Sequence, residues 1–190
     1  MIIVPLLLLI TLSLNSILFL YGISKFNSIS SENLFVFIFP SYLKIKSWVV
    51  FGGSWGSTLA LSYAIKHSEF CKALILRGIF LLRKLEIDWF YQDGCSYIYP
   101  DKWENYIKII DNKERNNLLK AYYKKLTSPN KETRVEAAKA WSKWEESTSK
   151  LIPKKTSLHR FNDDRVAEAF ARIECHYFIN KGFFKSDGWI

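Results

Sequence analysis

The chain has few of the residues that shape turns, clusters and cross-links. It holds eight glycines and five prolines in 190 residues, and Gly22 is the only glycine ahead of Gly52. No internal repeat or low-complexity tract runs through it. Cysteine is also rare: Cys71, Cys95 and Cys175 are odd in number and show no CxxC or His-spaced pattern. That excludes a disulfide framework and gives no metal site, so the three read as buried small residues, and no cofactor is called for. Long basic runs are missing too. The formal charge is +9, from 27 Lys and Arg against 18 Asp and Glu, yet no five basic residues stand together and no aromatic-basic binding motif accompanies them. The charge therefore reads as a solvated basic surface and not as a nucleic-acid site. What is abundant is apolar: 49% of the residues are hydrophobic, enough for one good core and incompatible with general disorder.

Residues 2 to 23, bounded by Ile2 and Ile23, carry no charge and only Thr11, Ser13, Asn15 and Ser16 as polar interruptions. A helix of that length spans a hydrocarbon core of about 30 Å, which makes membrane attachment one reading. A cleaved signal fits less well, because no Lys or Arg precedes the apolar run. The other readings are an N-terminal segment of a buried core, or sequence outside the folded domain. Ser and Asn between positions 27 and 31 suggest a linker, and an apolar run from 34 to 39 is closed by Pro40.

At Ser47 the texture changes. Trp48, Val49, Val50 and Phe51 form a short apolar run ending in glycines, the pattern of a strand buried on both faces. A helix is expected from Ser57 to Lys66, with Ala60, Tyr63, Ala64 and His67 at helical spacing, followed by a strand at Ala73 to Leu76. Strand, helix and strand at this spacing make a βαβ unit with parallel strands. Beyond Gly78 the pattern is helical and rich in aromatics. Asp101 with Glu104, and Asp111 with Glu114, have capping-box spacing at two helix starts. Ser128 and Pro129 open a helix with Val135, Ala138, Trp141 and Trp144 every third residue. A last helix is expected from Asp163 and Asp164 to about Phe178, with Val166, Phe170, Ile173 and Tyr177 as its apolar stripe. Trp141 and Trp144 read as packing residues.

Gly52-Gly53-Ser54-Trp55-Gly56 fits G-x-S-x-G between a strand and a helix, the place of a nucleophile elbow. Such a turn is too sharp for side chains at Gly52 and Gly56 and presents the Ser54 hydroxyl. The backbone N–H of Trp55, at the start of the following helix, then faces a forming oxyanion. Together with Leu76-Arg77-Gly78-Ile79-Phe80, Trp89-Phe90-Tyr91-Gln92, Trp144-Glu145 and the run from Ala171 to Phe178, the motif resembles the successive signatures of proline iminopeptidases, from Trp48 to about Phe184.

That resemblance implies a serine aminopeptidase of α/β-hydrolase fold, cytoplasmic, without cofactor, acting on peptides with an N-terminal proline. It implies Ser54 as nucleophile, and Glu145 and Glu174 as the carboxylates that hold the substrate's cationic amino terminus. Arg77, Phe80, Phe90 and Phe178 would line the pocket for the pyrrolidine ring. The chemistry agrees: an exopeptidase must recognise a cation in an enclosed site and stop the chain with an apolar wall. Glu174 and Phe178, four apart, share a helix face. Two nearby carboxylates repel, so one is expected to hold a proton without ligand. Read without the resemblance, both glutamates are ordinary helix-surface carboxylates, and Arg77 is equally a surface or salt-bridging residue.

The rest of the triad is not found. In the family an Asp and a His follow well downstream, whereas this chain stops at Ile190, and His67, His159 and His176 do not match the catalytic base. The family's His-Gly-Gly-Pro-Gly loop upstream of the nucleophile strand has no counterpart either. The expectation is thus an α/β fold, a truncated α/β-hydrolase. Residues 1 to 47 would be a hydrophobic segment unlike the family, 48 to 99 a core fragment with a piece of parallel sheet and the elbow, 100 to 184 a helical cap region, and 185 to 190 a truncated end. The alternative is a non-catalytic binding protein of this fold, attached to a membrane through Ile2 to Ile23. Oligomeric state is left open.

Overall fold

The computed structural model describes residues 46–149 and 160–190. The expectations for the stretches 2–23, 27–31 and 34–39, and for His159, lie outside the described residues. The chain divides into two compact units, one running to Leu81 and including Ile190, the other Leu82–Trp189.

In the first unit β1 (Trp48–Gly53) leads through Ser54 into α1 (Trp55–Lys66), a short 3-10 turn (Ser68–Phe70) and β2 (Cys71–Arg77). The two strands pair in parallel, Val50 opposite Leu74 and Gly52 opposite Leu76. This is the expected βαβ unit, and α1 begins two residues earlier than its periodicity suggests because the elbow feeds straight into it. The helix lies close to the sheet through small side chains: Ser57, Thr58 and Ala60 are buried. Burial of the strands on both faces is not what the structure shows. The face of Val50 is covered by α1, whereas Val49 is 40% and Ile75 49% exposed on the other. The reason is that the sheet has two strands among the described residues, and one helix can cover only one face.

The second unit is helical: α2 (Lys84–Tyr91), α3 (Cys95–Ile98), α4 (Pro100–Ile107), α5 (Leu118–Leu126), α6 (Lys131–Thr148) and α7 (Asp164–Ile179). Its core is aromatic. Trp141, Trp144, Tyr106, Tyr122 and Phe161 are wholly buried, with Tyr106 stacked on Tyr122 at a centroid distance of 4.5 Å.

Helix starts differ from the sequence expectation in instructive ways. Asp101 lies inside the first turn of α4, where Pro100 takes the opening position that needs no N–H donor. Asp111 caps only a 3-10 segment (Asn112–Asn117), by accepting from Lys113 N. The helix proper starts after Asn117, whose side chain accepts from Lys120 N at 3.0 Å. Asn130, not Ser128, caps α6. Asp163 caps α7 as expected, taking the N–H groups of Arg165 and Val166.

The apolar stripe of α7 is displaced by one position. Val166 is exposed, and the buried face is Ala167, Ala171, Cys175 and Phe178. Small residues along this face let α7 approach two neighbours: Ser142 Oγ of α6 donates to the Ala167 carbonyl at 3.4 Å, and Cys175 Sγ lies 3.7 Å from the Leu119 carbonyl of α5. Outside this seam Arg134 bridges to Glu168 at 2.7 Å, and Glu168 also takes Arg172 at 3.1 Å. Of the cysteines, Cys95 and Cys175 are buried as expected, but Cys71 is only half-buried because it starts β2 at the end of the sheet.

Candidate active site

The elbow is built by three backbone constraints. Ser54 sits at φ 55°, ψ −125°, a conformation that side chains rarely adopt and that marks a strained, held residue. Its N–H donates to Arg77 O at 2.9 Å, tying the turn to the end of β2, and its carbonyl accepts from Ser57 Oγ at 2.6 Å. At Gly52 an added Cβ would fall 2.2 Å from the carbonyl oxygen of Gly56 and 2.9 Å from the Ala60 Cβ, so only glycine fits. The expected restriction at Gly56 is not found: a Cβ there would meet nothing within 4 Å. The close approach is to its carbonyl, not to its α-carbon.

Trp55 is the first residue of α1, where backbone N–H groups point out along the helix axis. Arg77 is exposed, and its guanidinium lies over Gly53, 3.4 Å from where a Cβ would stand. Phe80 is fixed by its backbone: its N–H donates to Ser57 Oγ at 2.9 Å, and its carbonyl accepts from Thr58 Oγ1 at 2.6 Å.

In the second unit the sequence-selected carboxylates come together around one aromatic stack. Tyr91 and Trp141 lie face to face, centroids 4.5 Å apart and 11° from parallel. The Tyr91 hydroxyl donates to Glu145 Oε1, and Trp141 Nε1 donates to Glu174 Oε2 at 2.9 Å. Phe178 closes on both rings, 5.4 Å from Tyr91 and 6.3 Å from Trp141. Phe90 borders the stack, 4.9 Å from Tyr91 and 5.7 Å from Trp144, whose Nε1 donates to the Phe90 carbonyl at 3.2 Å. Glu174 and Phe178 do share a helix face, since both meet Trp141.

Burial pushes the Glu145 carboxyl up to about 7, against the pull of the Tyr91 hydrogen bond and with the charge of Glu146 adding to the rise. One carboxyl is therefore inclined to keep its proton, as expected, but desolvation is the main cause, and the neighbouring charge that contributes is that of Glu146. Burial also lifts the Tyr91 hydroxyl well above its ordinary value, with Glu145 and Glu174 adding to it.

A family model described as the alpha/beta hydrolase fold matches residues 24–164. The chain belongs to the α/β-hydrolase family. The match starts ahead of Trp48, where the block-by-block resemblance begins. The chain is 58% identical over 147 residues to a protein named probable proline iminopeptidase from Leptolyngbya boryana, covering 77% of this chain and 46% of the relative. It is 54% identical over 147 residues to a proline iminopeptidase of Arabidopsis thaliana, covering 77% and 39%, respectively. A third, from Xylella fastidiosa strain 9a5c, is 51% identical over 143 residues, covering 75% and 46%. The α/β-hydrolase chain spans about half the length of these curated relatives, or less.

Two of the histidines, His67 and His176, are among the described residues. His67 follows the last residue of α1, some 13 positions from Ser54 and so about 20 Å along the helix; its ring packs 5.2 Å from Tyr63. His176 is exposed on α7 beside the rings of Tyr123, Tyr177 and Phe183. Among the described residues no His, Cys, Asp and Glu cluster could hold a metal ion, and no helix is long and apolar enough to cross a membrane. A cavity of about 700 Å³ between α4 and α6, lined by Lys102, Lys108, Lys139, Lys143 and Trp144, includes neither site glutamate. Sequence reading missed the donors: Trp141 looked like a packing residue, Tyr91 entered only as part of a family block, and their spacing from Glu145 and Glu174 carries no local signal.

Proposed function

We propose that this chain carries the nucleophile and the amino-terminus recognition residues of a serine aminopeptidase that releases proline from the N-terminus of peptides, its core fragment at 48 to 99 and its helical cap at 100 to 184. The observation that carries the reading is the pairing of two partly enclosed carboxylates, Glu145 and Glu174, on one aromatic stack edged by Phe90 and Phe178. Negative charge set in apolar walls suits a cationic chain end attached to a compact ring. The names of the relatives support the same substrate class.

In this reading Ser54 Oγ attacks the prolyl carbonyl, the Trp55 N–H stabilises the oxyanion, and the peptide amine leaves as the acyl-enzyme forms. Glu145 and Glu174 take the N–H bonds of the prolyl ammonium. Arg77, Phe80, Phe90 and Phe178 are the residues that the family resemblance offers for contact with the ring. The base that accepts the Ser54 proton and returns it to the leaving amine, and the carboxylate that orients that base, are assigned to the part of the relatives that this chain does not span; water then hydrolyses the acyl-enzyme and frees proline. The compartment is the cytoplasm, to be tested by fractionation with alkaline extraction.

The test joins this chain to the remainder of the Leptolyngbya boryana relative and measures hydrolysis of a proline arylamide. Activity should appear, Ser54→Ala should abolish it, and an N-acetylated proline substrate should be poor. Glu174→Gln should cost roughly 2–5 kcal/mol in kcat/KM for the free prolyl substrate. Equal turnover of free and acetylated proline would refute the recognition role.

A further inference from the structure

We propose that Tyr91 and Trp141 are positioning residues whose stacked rings hold the Glu145 and Glu174 carboxylates in place for a secondary ammonium; this rests on the aminopeptidase reading and adds the residues that set its selectivity. A glutamate has three rotatable side-chain bonds, so a carboxylate at an apolar wall swings towards water unless something holds it. Here each is held by a donor of fixed direction. A phenol has one O–H and an indole one N–H, so each donor engages one carboxylate oxygen and leaves acceptor capacity on the same group. The two donors cannot move independently, because their rings stack at 4.5 Å and 11° and both side chains are buried. Phe178 packs on both rings and Tyr122 meets Trp141 edge-on at 5.4 Å, which fixes the plate from two more helices.

The consequence is a spacing between carboxylates set by ring geometry. A prolyl amino terminus carries two N–H bonds, one for each carboxylate. A primary ammonium carries three, and its third donor must share a carboxylate already engaged or find another acceptor, at poorer geometry. Neither holding donor is lost near neutrality: burial keeps the Tyr91 proton on, and an indole does not titrate. The groups that face the pair electrostatically are Glu146 beside Glu145 on α6, Cys95 on α3, Tyr106 on α4 and Cys175 on α7. Among these, burial and then the Glu145 charge push the Cys95 thiol up to about 11.

The experiment uses the full chain. Glutamate carboxyls are followed by carbon-13 NMR across pH, and binding of L-prolinamide and L-alaninamide is measured by calorimetry. Tyr91→Phe keeps the ring and removes the donor, so the Glu145 midpoint should rise while that of Glu174 stays. Prolinamide affinity should drop by about tenfold to a hundredfold, and the preference over alaninamide should shrink with it. Trp141→Phe should move the Glu174 midpoint instead. Should that variant not fold, the Trp141 indole N–H resonance of the otherwise native chain must shift in Glu174→Gln. An unmoved Glu145 midpoint in Tyr91→Phe, or an unmoved indole resonance in Glu174→Gln, overturns the proposal. If the midpoints move as stated and the unsubstituted chain binds no prolinamide, the positioning of the carboxylates stands and the aminopeptidase reading fails.

Discussion

Replacing Glu145 by glutamine should flatten the pH dependence of stability between about pH 4.5 and 7. In the folded chain this carboxyl is lifted from an ordinary 4.5 to about 7. Between those values the folded state keeps a proton that the unfolded state has lost, so raising the pH favours unfolding. The contribution is fully present below the ordinary value and is lost as pH rises through the folded one. At 1.36 kcal/mol for each unit, a rise of this size corresponds to roughly 3 kcal/mol. The cause is burial beside the Tyr91–Trp141 stack, which the amide of glutamine tolerates without having to ionise. Guanidinium unfolding followed by tryptophan fluorescence suits the measurement, because Trp141 and Trp144 are buried in the same unit. The parent should lose stability from pH 5 to pH 8, and in Glu145→Gln the loss should be smaller by roughly 3 kcal/mol. An unchanged pH dependence in the variant would mean that the carboxyl is hydrated and ionised in the folded chain, and the account of its burial would be wrong.

Other substitutions probe the elbow and the core by the same unfolding assay. Gly52→Ala should cost about 3 kcal/mol or more, because its Cβ meets the Gly56 carbonyl, whereas Gly56→Ala should cost little. Ser54→Gly should be more stable than Ser54→Ala by roughly 1 kcal/mol, since glycine relieves the positive φ that alanine retains; equal stability would remove the case for strain at the nucleophile. Tyr106 Oη is buried with no hydrogen-bond partner among the described residues. Tyr106→Phe should therefore leave stability unchanged or raise it by about 1 kcal/mol, and a loss of more than that would reveal a partner for the hydroxyl.

Local features of this chain were legible in its sequence, and features made by distant contacts were not. The strand at Trp48, the glycine turn and the helix after it follow from residues within a dozen positions of one another, and the parallel pairing with Cys71–Arg77 follows from the length of the crossover. The start of α7 at Asp163 was readable for the same reason. Asp111 misled because its spacing to Glu114 imitates a capping box, while the helix waits for Asn117. The α7 stripe was misjudged because hydrophobicity favoured Val166 and Ile173 over the small Ala167 and Ala171, and close helix packing selects size before hydrophobicity. For the site, Ser54 stood out through its motif, and Glu145 and Glu174 only through the family resemblance. Their supports did not: Trp141 lies 33 positions from Glu174 and Tyr91 lies 54 from Glu145, distances over which a single sequence holds no pattern.

The clamp around Ser57 bears on how the nucleophile responds to disturbance. One hydroxyl donates to the Ser54 carbonyl and accepts the Phe80 N–H, while Thr58 holds the Phe80 carbonyl and Arg77 holds the Ser54 N–H. The loop behind β2 and the turn behind β1 thus form a closed mechanical circuit with little compliance. A displacement of the backbone at Phe80 is passed on to Ser54 through these bonds, and so is any pull that a neighbouring residue exerts on that loop. Residues that never touch a substrate can detune the serine through this circuit, Ser57 and Thr58 first among them.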